Sequence, residues 1–150
     1  MHIHLRVGET SGGKPAFEPV HAIPYGGSRY RIESTPGLAY GIAAGDEIEL
    51  GADGLYSVTE RAGNVTVRVF ALAPFDGAQR NLTLEVERLG GCLDGKVDKG
   101  LAYTIPAPAG FANIEKVFQD FVAAHPGCEW EYGNIYAEDG SALGWWETGP

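Results

Sequence analysis

The chain has 150 residues, a length that suits one ordinary domain or two small ones sharing a core and excludes a multidomain enzyme. With 44% hydrophobic and 21% charged residues it falls outside the disordered, collagenous and fibrous classes. The net charge of -9 argues against nucleic acid and anionic membrane surfaces as partners, and points to a basic protein instead.

The alternating run His2 to Val7 predicts a first strand, Glu18 to Pro24 a second, and Arg29 to Glu33 a third after the turn Tyr25-Gly26-Gly27-Ser28. Ser34-Thr35-Pro36-Gly37 turns the chain and Leu38 to Ala43 carries apolar residues toward Gly45-Asp46. Glu47 to Leu50 and Leu55 to Glu60 then alternate around Ala52-Asp53-Gly54. Val65 to Ala71, rich in β-branched residues, is the strongest strand signal in the chain. Leu82, Val86 and Leu89 recur at helical spacing before the glycine stop Gly90-Gly91. Short strands around Cys92 to Val97 and Leu101 to Ile105 flank the turn Asp98-Lys99-Gly100. Ile114, Val117, Phe118, Phe121 and Val122 mark a second helix that stops at His125-Pro126-Gly127, and Glu129 to Tyr136 reads as the last strand.

The fold class expected from this order is α+β. Residues 1–63 should form a small β-rich, barrel-like part. Residues 64–150 should form a ferredoxin-like βαββαβ part with both helices on one sheet face and an acidic, aromatic C-terminal segment. The joint falls at Ala62-Gly63-Asn64.

The chain carries no GxSxG, no HExxH and no phosphate loop, and Gly26-Gly27 and Gly90-Gly91 read as turns. His2 and His4 would face one side of a strand, but a zinc site needs a third ligand and no spacing supplies one. His125 and Cys128 resemble a base beside a nucleophile, yet they straddle a helix end, where a cysteine is more often a small buried apolar group. Asp46, Glu47 and Glu49 could be paired hydrolase carboxylates, although alternation makes Glu47 and Glu49 a solvated face. No catalytic residue, metal ligand or cofactor is therefore assigned. The two cysteines fit a reducing compartment, and no export signal or bilayer-spanning run is present, so a soluble, cytoplasmic protein is expected.

From Pro126 to Pro150 there are five acidic residues, no lysine or arginine, and five Trp and Tyr residues. Residues 1–70 hold eight acids and six bases, whereas residues 71–150 hold twelve and five. Complementary charge steers association and aromatic anchors dominate interface energy. The candidate partner-binding residues are accordingly Glu129, Glu131, Glu138, Asp139, Trp145 and Trp146. The competing reading is that Trp130 and Tyr132 pack in a sheet while the final residues cover an edge.

The succession Gly27-Ser28-Arg29-Tyr30-Arg31-Ile32, Pro36, and Ala39-Tyr40-Gly41-Ile42-Ala43-Ala44-Gly45-Asp46-Glu47-Ile48 resembles the central signature of an uncharacterised bacterial family, domain of unknown function 4265. Arg61 to Val69 and Trp130-Glu131-Tyr132 resemble its later segments, with Ala62 in place of the usual serine. The resemblance implies no activity, substrate or catalytic residue. It implies turn roles for Gly41, Gly45 and Gly63, barrel-core roles for Tyr40 and Ile48, and a turn cap at Asp46. The function expected is a non-catalytic protein-binding module, of immunity or antitoxin type, that occludes a basic partner such as a toxin. The alternative is a small enzyme or ligand-binding domain with a site in the cleft between the two parts.

Overall fold

A computed structural model describes residues 1–147; the last three residues of the segment expected to run to Pro150 lie outside the described residues. The first sheet is an antiparallel meander of β1 (His2–Glu9), β2 (Pro15–Gly26), β3 (Arg29–Ile32), β4 (Glu47–Leu50) and β5 (Tyr56–Glu60), in that spatial order. Alternation puts Ile3, Leu5, Val20, Ala22, Ile32 and Ile48 in one buried cluster, closed by Ala39 and Ile42. The β2–β3 turn runs through Gly26 and Gly27 at φ of 118° and 59°, where a side chain is disfavoured.

The barrel-like expectation is corrected, because this sheet does not close. A barrel needs a staggered register all the way round, and no ladder joins β5 to β1 among the described residues. Strands of four and five residues bring only the β4–β5 turn to β1, through one bond from Arg6 N–H to Gly54 O at 2.9 Å.

The second half contains β6 (Asn64–Ala71), α1 (Gln79–Arg88), β7 (Cys92–Val97), β8 (Gly100–Pro106), α2 (Phe111–Ala124) and β9 (Cys128–Tyr132). Its sheet has the order β7-β8-β6-β9, with every neighbouring pair antiparallel. Leu82 and Val86 of α1 and Ile114, Phe118 and Phe121 of α2 bury against Val65, Val67, Val69, Leu101, Tyr103 and Ile105, so both helices cover one face. The architecture is thus mixed α+β. No helix among the described residues is long and apolar enough to cross a membrane.

The last strand stops at Tyr132 rather than continuing to Tyr136. The fully buried Asn134 takes over the ladder: its Oδ1 accepts from Thr66 N–H at 2.8 Å and its Nδ2 donates to Asn64 O at 2.8 Å. A side-chain amide there mimics the backbone pair it replaces. Tyr136 instead forms an isolated bridge with Ala142.

The face of the second sheet turned away from the helices carries Thr66 and Arg68, 0% and 1% exposed. What covers it is the segment 33–46, read in the sequence as a turn at Ser34-Thr35-Pro36-Gly37 followed by the apolar stretch Leu38 to Ala43, which forms a loop bound from both sides. Arg68 donates from Nε to Pro36 O at 3.1 Å, from Nη1 to Leu38 O at 3.1 Å, and from Nη2 to Ala39 O. On the other side Glu18 of β2 accepts from the backbone N–H groups of Gly37, Leu38 and Ala39. Carbonyls therefore face the cation of one sheet and amides the anion of the other, which satisfies backbone that has no ladder of its own.

Candidate functional site

The same loop sets the geometry of an acidic, aromatic cleft. Its next residue, Tyr40, is 53% exposed rather than in the core of the first sheet, whereas Ile48 is fully buried there. The Tyr40 ring lies over the Arg68 guanidinium at 4.9 Å. Its hydroxyl donates to Glu131 at 2.7 Å, and Tyr56 Oη donates to Tyr40 O at 2.7 Å. Gly41, at φ of 85°, then turns the chain so that its N–H reaches Gly133 O at 2.7 Å. Gly133 must lack a side chain, since a Cβ there would sit 2.6 Å from Thr66 Cγ2.

Beside Tyr40 the cleft encloses about 640 Å³, lined by Trp130, Glu131 and Tyr132 of β9, Glu115 of α2, and Tyr136, Ala137 and Glu138. No lysine or arginine lines it. Tyr132 donates its hydroxyl to Glu115 at 2.8 Å and meets Trp130 edge-to-face at 5.0 Å. Burial pushes the Tyr40 and Tyr132 phenols above the ordinary tyrosine range, and the carboxylates beside them add to it. Both phenols stay neutral, with their protons engaged by carboxylates. Burial also lowers the pKa of Arg68 from the usual guanidinium value, an effect opposed by Glu131. The group remains a cation behind the cleft wall.

Of the residues singled out in the sequence, Glu131 and Glu138 line this cleft. Glu129 lies exposed on β9 opposite Phe70. Asp139 faces its own turn, with Oδ1 accepting from Ser141 N–H at 2.9 Å and Ser141 Oγ at 2.6 Å. Trp145 and Trp146 are half-buried beside a different groove, with Arg61, Phe111 and Pro108. Trp145 Nε1 donates to Asn134 O at 2.8 Å and Trp146 meets Phe111 edge-to-face at 5.2 Å. The structure brings the two tryptophans into the helix-side packing rather than into the cleft. Sequence reasoning missed Glu115 and Tyr40 as lining residues, because one sits on a helix and the other on a loop far along the chain.

The catalytic and metal candidates are also placed. The His2 and His21 rings lie tilted at 44° with centroids 4.1 Å apart, and His4 is exposed. Among the described residues no group of three His, Cys, Asp or Glu side chains could hold a metal ion. His125 stacks on Phe121 and its Nδ1 lies 2.9 Å from Phe121 O, engaged with the end of α2 rather than with a thiol. Burial raises the pKa of Cys128, the wrong direction for a nucleophile. Asp46 is a buried loop staple. Its Oδ2 accepts from Ala43 N–H at 3.0 Å and its Oδ1 from Ala62 N–H at 2.9 Å, with Arg61 3.6 Å away. A second groove of about 540 Å³ lies between the two sheets, lined by Glu18, Thr35 and Leu38 on one side and Phe70, Val97 and Ala102 on the other.

The overall architecture is similar to a crystal structure of a hypothetical protein from Neisseria gonorrhoeae. The TM-score is 0.67 at 17% identity, over 89% of this chain and 94% of that one, a likeness of fold alone. No curated protein matches the chain. Residues 18–130, which run from the middle of β2 through the loop between the sheets to the first part of β9, match the family profile named domain of unknown function (DUF4265), and the chain belongs to that family.

Proposed function

We propose that this protein is a non-catalytic binding module whose acidic, aromatic cleft captures a basic partner protein, as an immunity or antitoxin-type protein occludes a toxin. The observation that carries the reading is the cleft itself. Three carboxylates and four aromatic rings face one cavity that no cationic side chain lines. Ring faces and carboxylates are the two groups that bind a desolvated ammonium or guanidinium. The two free thiols, Cys92 and Cys128, suit work in the reducing cytoplasm. We also read the second half as ferredoxin-like. In support, its βαββαβ chain order goes with the spatial order β7-β8-β6-β9, in which each helix connects strands that are not neighbours.

The test is capture from a lysate of the source cells, by the unaltered protein and by a variant with Glu129, Glu131, Glu138 and Asp139 changed to Lys. The expected result is one stoichiometric basic protein held by the first only. With the isolated partner, association at low salt should slow by about tenfold or more and lose much of its salt dependence. A folded variant with an unchanged association rate would exclude the cleft. The second reading, a ligand-binding domain or small enzyme, is favoured by the groove between the sheets, where Leu38, Phe70 and Val97 are exposed apolar side chains. A ligand bound there would be insensitive to the four charge reversals.

A further inference from the structure

We propose that the partner enters the cleft as an extended basic segment that adds to the free edge of β9 as a fifth antiparallel strand, an inference that rests on the basic-partner reading above. The sheet ends at β9, which pairs only with β6. The phase of that ladder is fixed at both ends, by Leu72 N–H to Gly127 O at 3.1 Å and by Gly133 N–H to Thr66 O at 2.8 Å. Antiparallel ladders alternate, so Glu129 and Glu131 direct their backbone groups at β6, while Trp130 and Tyr132 direct theirs outward. Among the described residues no other backbone group bonds those of Trp130 and Tyr132. The cavity of about 640 Å³ runs along this stretch of edge.

The side chains specify what the edge accepts. The pleat sets Glu129 and Glu131 on the Arg68 face and Trp130 and Tyr132 on the helix face. Directly opposed residues of an antiparallel pair share a face. A matching strand therefore alternates, with Lys or Arg beside the two glutamates and apolar residues beside the two rings. A second copy of this chain paired through β9 would oppose glutamate to glutamate, which like-charge repulsion disfavours. Strand addition supplies main-chain bonds for affinity and alternate side chains for specificity.

The probe is a capped six-residue peptide alternating lysine and valine, added to the full chain and followed by amide hydrogen exchange. Binding should slow exchange at the Trp130 and Tyr132 amides at least tenfold, and leave those of Val67 and Val69 unchanged. In the added strand the valines direct their N–H groups at β9. N-methylation of the valines should therefore weaken binding at least tenfold, while N-methylation of the lysines is tolerated. Glu129→Gln together with Glu131→Gln should weaken the parent peptide. If neither parent nor methylated peptide binds at millimolar concentration, the basic-partner reading of the cleft falls and this inference with it. If the parent binds but valine methylation is tolerated and the two amides are not slowed, strand addition is overturned and capture by side chains alone remains. Protection of the same amides without peptide, in a protein that sediments as a dimer, would make a second copy the occupant and overturn the proposal.

Discussion

On one face of the second sheet Val65, Val67 and Val69 of β6 meet two helices through apolar contact alone, while on the other Thr66 and Arg68 of the same strand meet a loop through hydrogen bonds. Both faces are buried, one held by area and the other by direction. Apolar contact tolerates a change of shape at modest cost. A polar layer tolerates little, because each donor removed leaves an acceptor with no water to replace it. The difference also locates function. The helix-covered face brings Trp130 and Tyr132 to the cleft, whereas the loop-covered face sets Tyr40 beside Glu131 and so shapes its other wall.

Arg68→Met is the severest way to break the contrast. It strips the carbonyls of Pro36, Leu38 and Ala39 of their donor, and should cost about 4 kcal/mol in urea unfolding. Arg68→Lys keeps the charge but cannot reach three carbonyls with a fork, and should cost about half as much. A neutral Arg68→Met would show that direction is unimportant on this face. Val67→Ala on the apolar face should cost about 2 kcal/mol, and Val67→Ile less than about 1.5 kcal/mol, in the same measurement. Glu18→Gln, which leaves one acceptor oxygen for three N–H groups, should cost about 1 kcal/mol.

The smallest effect is one of pH. Burial raises the pKa of Asp46, outweighing its two backbone hydrogen bonds and Arg61. The folded state thus holds this proton more tightly than the unfolded one. The contribution of Asp46 is greatest below its ordinary carboxylate value and declines as pH rises through that value to the raised one. Stability measured across this window should slope less in Asp46→Asn than in the unaltered protein. Equal slopes would remove Asp46 as the cause.

The strands and helices themselves were legible because each carries its own period. The alternation of Val65 to Ala71 and the three-four spacing of Ile114 to Phe121 are local facts. What β6 packs against was not legible. Alternation ordinarily marks a strand with one wet face, and here the polar residues are as buried as the valines because a loop supplies their partners. The end of β9 was hidden for a related reason: Asn134 replaces a ladder bond with a side chain, which no periodicity reports. Of the cleft, Glu131 and Glu138 stood out as charge without counter-charge, while Glu115 and Tyr40 join them only through the fold. Trp145 and Trp146 stood out as candidate aromatic anchors, and the fold sets them against Phe111 and Arg61, away from the cleft.

Tyr40 belongs to the loop that both sheets grip, so whatever occupies the cleft is thermodynamically linked to the whole molecule. A cation seated against Tyr40 and Glu131, as proposed above, would favour the loop conformation that Glu18 and Arg68 also select. Mass action would then raise the unfolding temperature of the first sheet along with the second, although no residue of β1 lines the cleft. The partner would act as a clasp, and a fragment beginning at Asn64 would lack the wall that the clasp closes on.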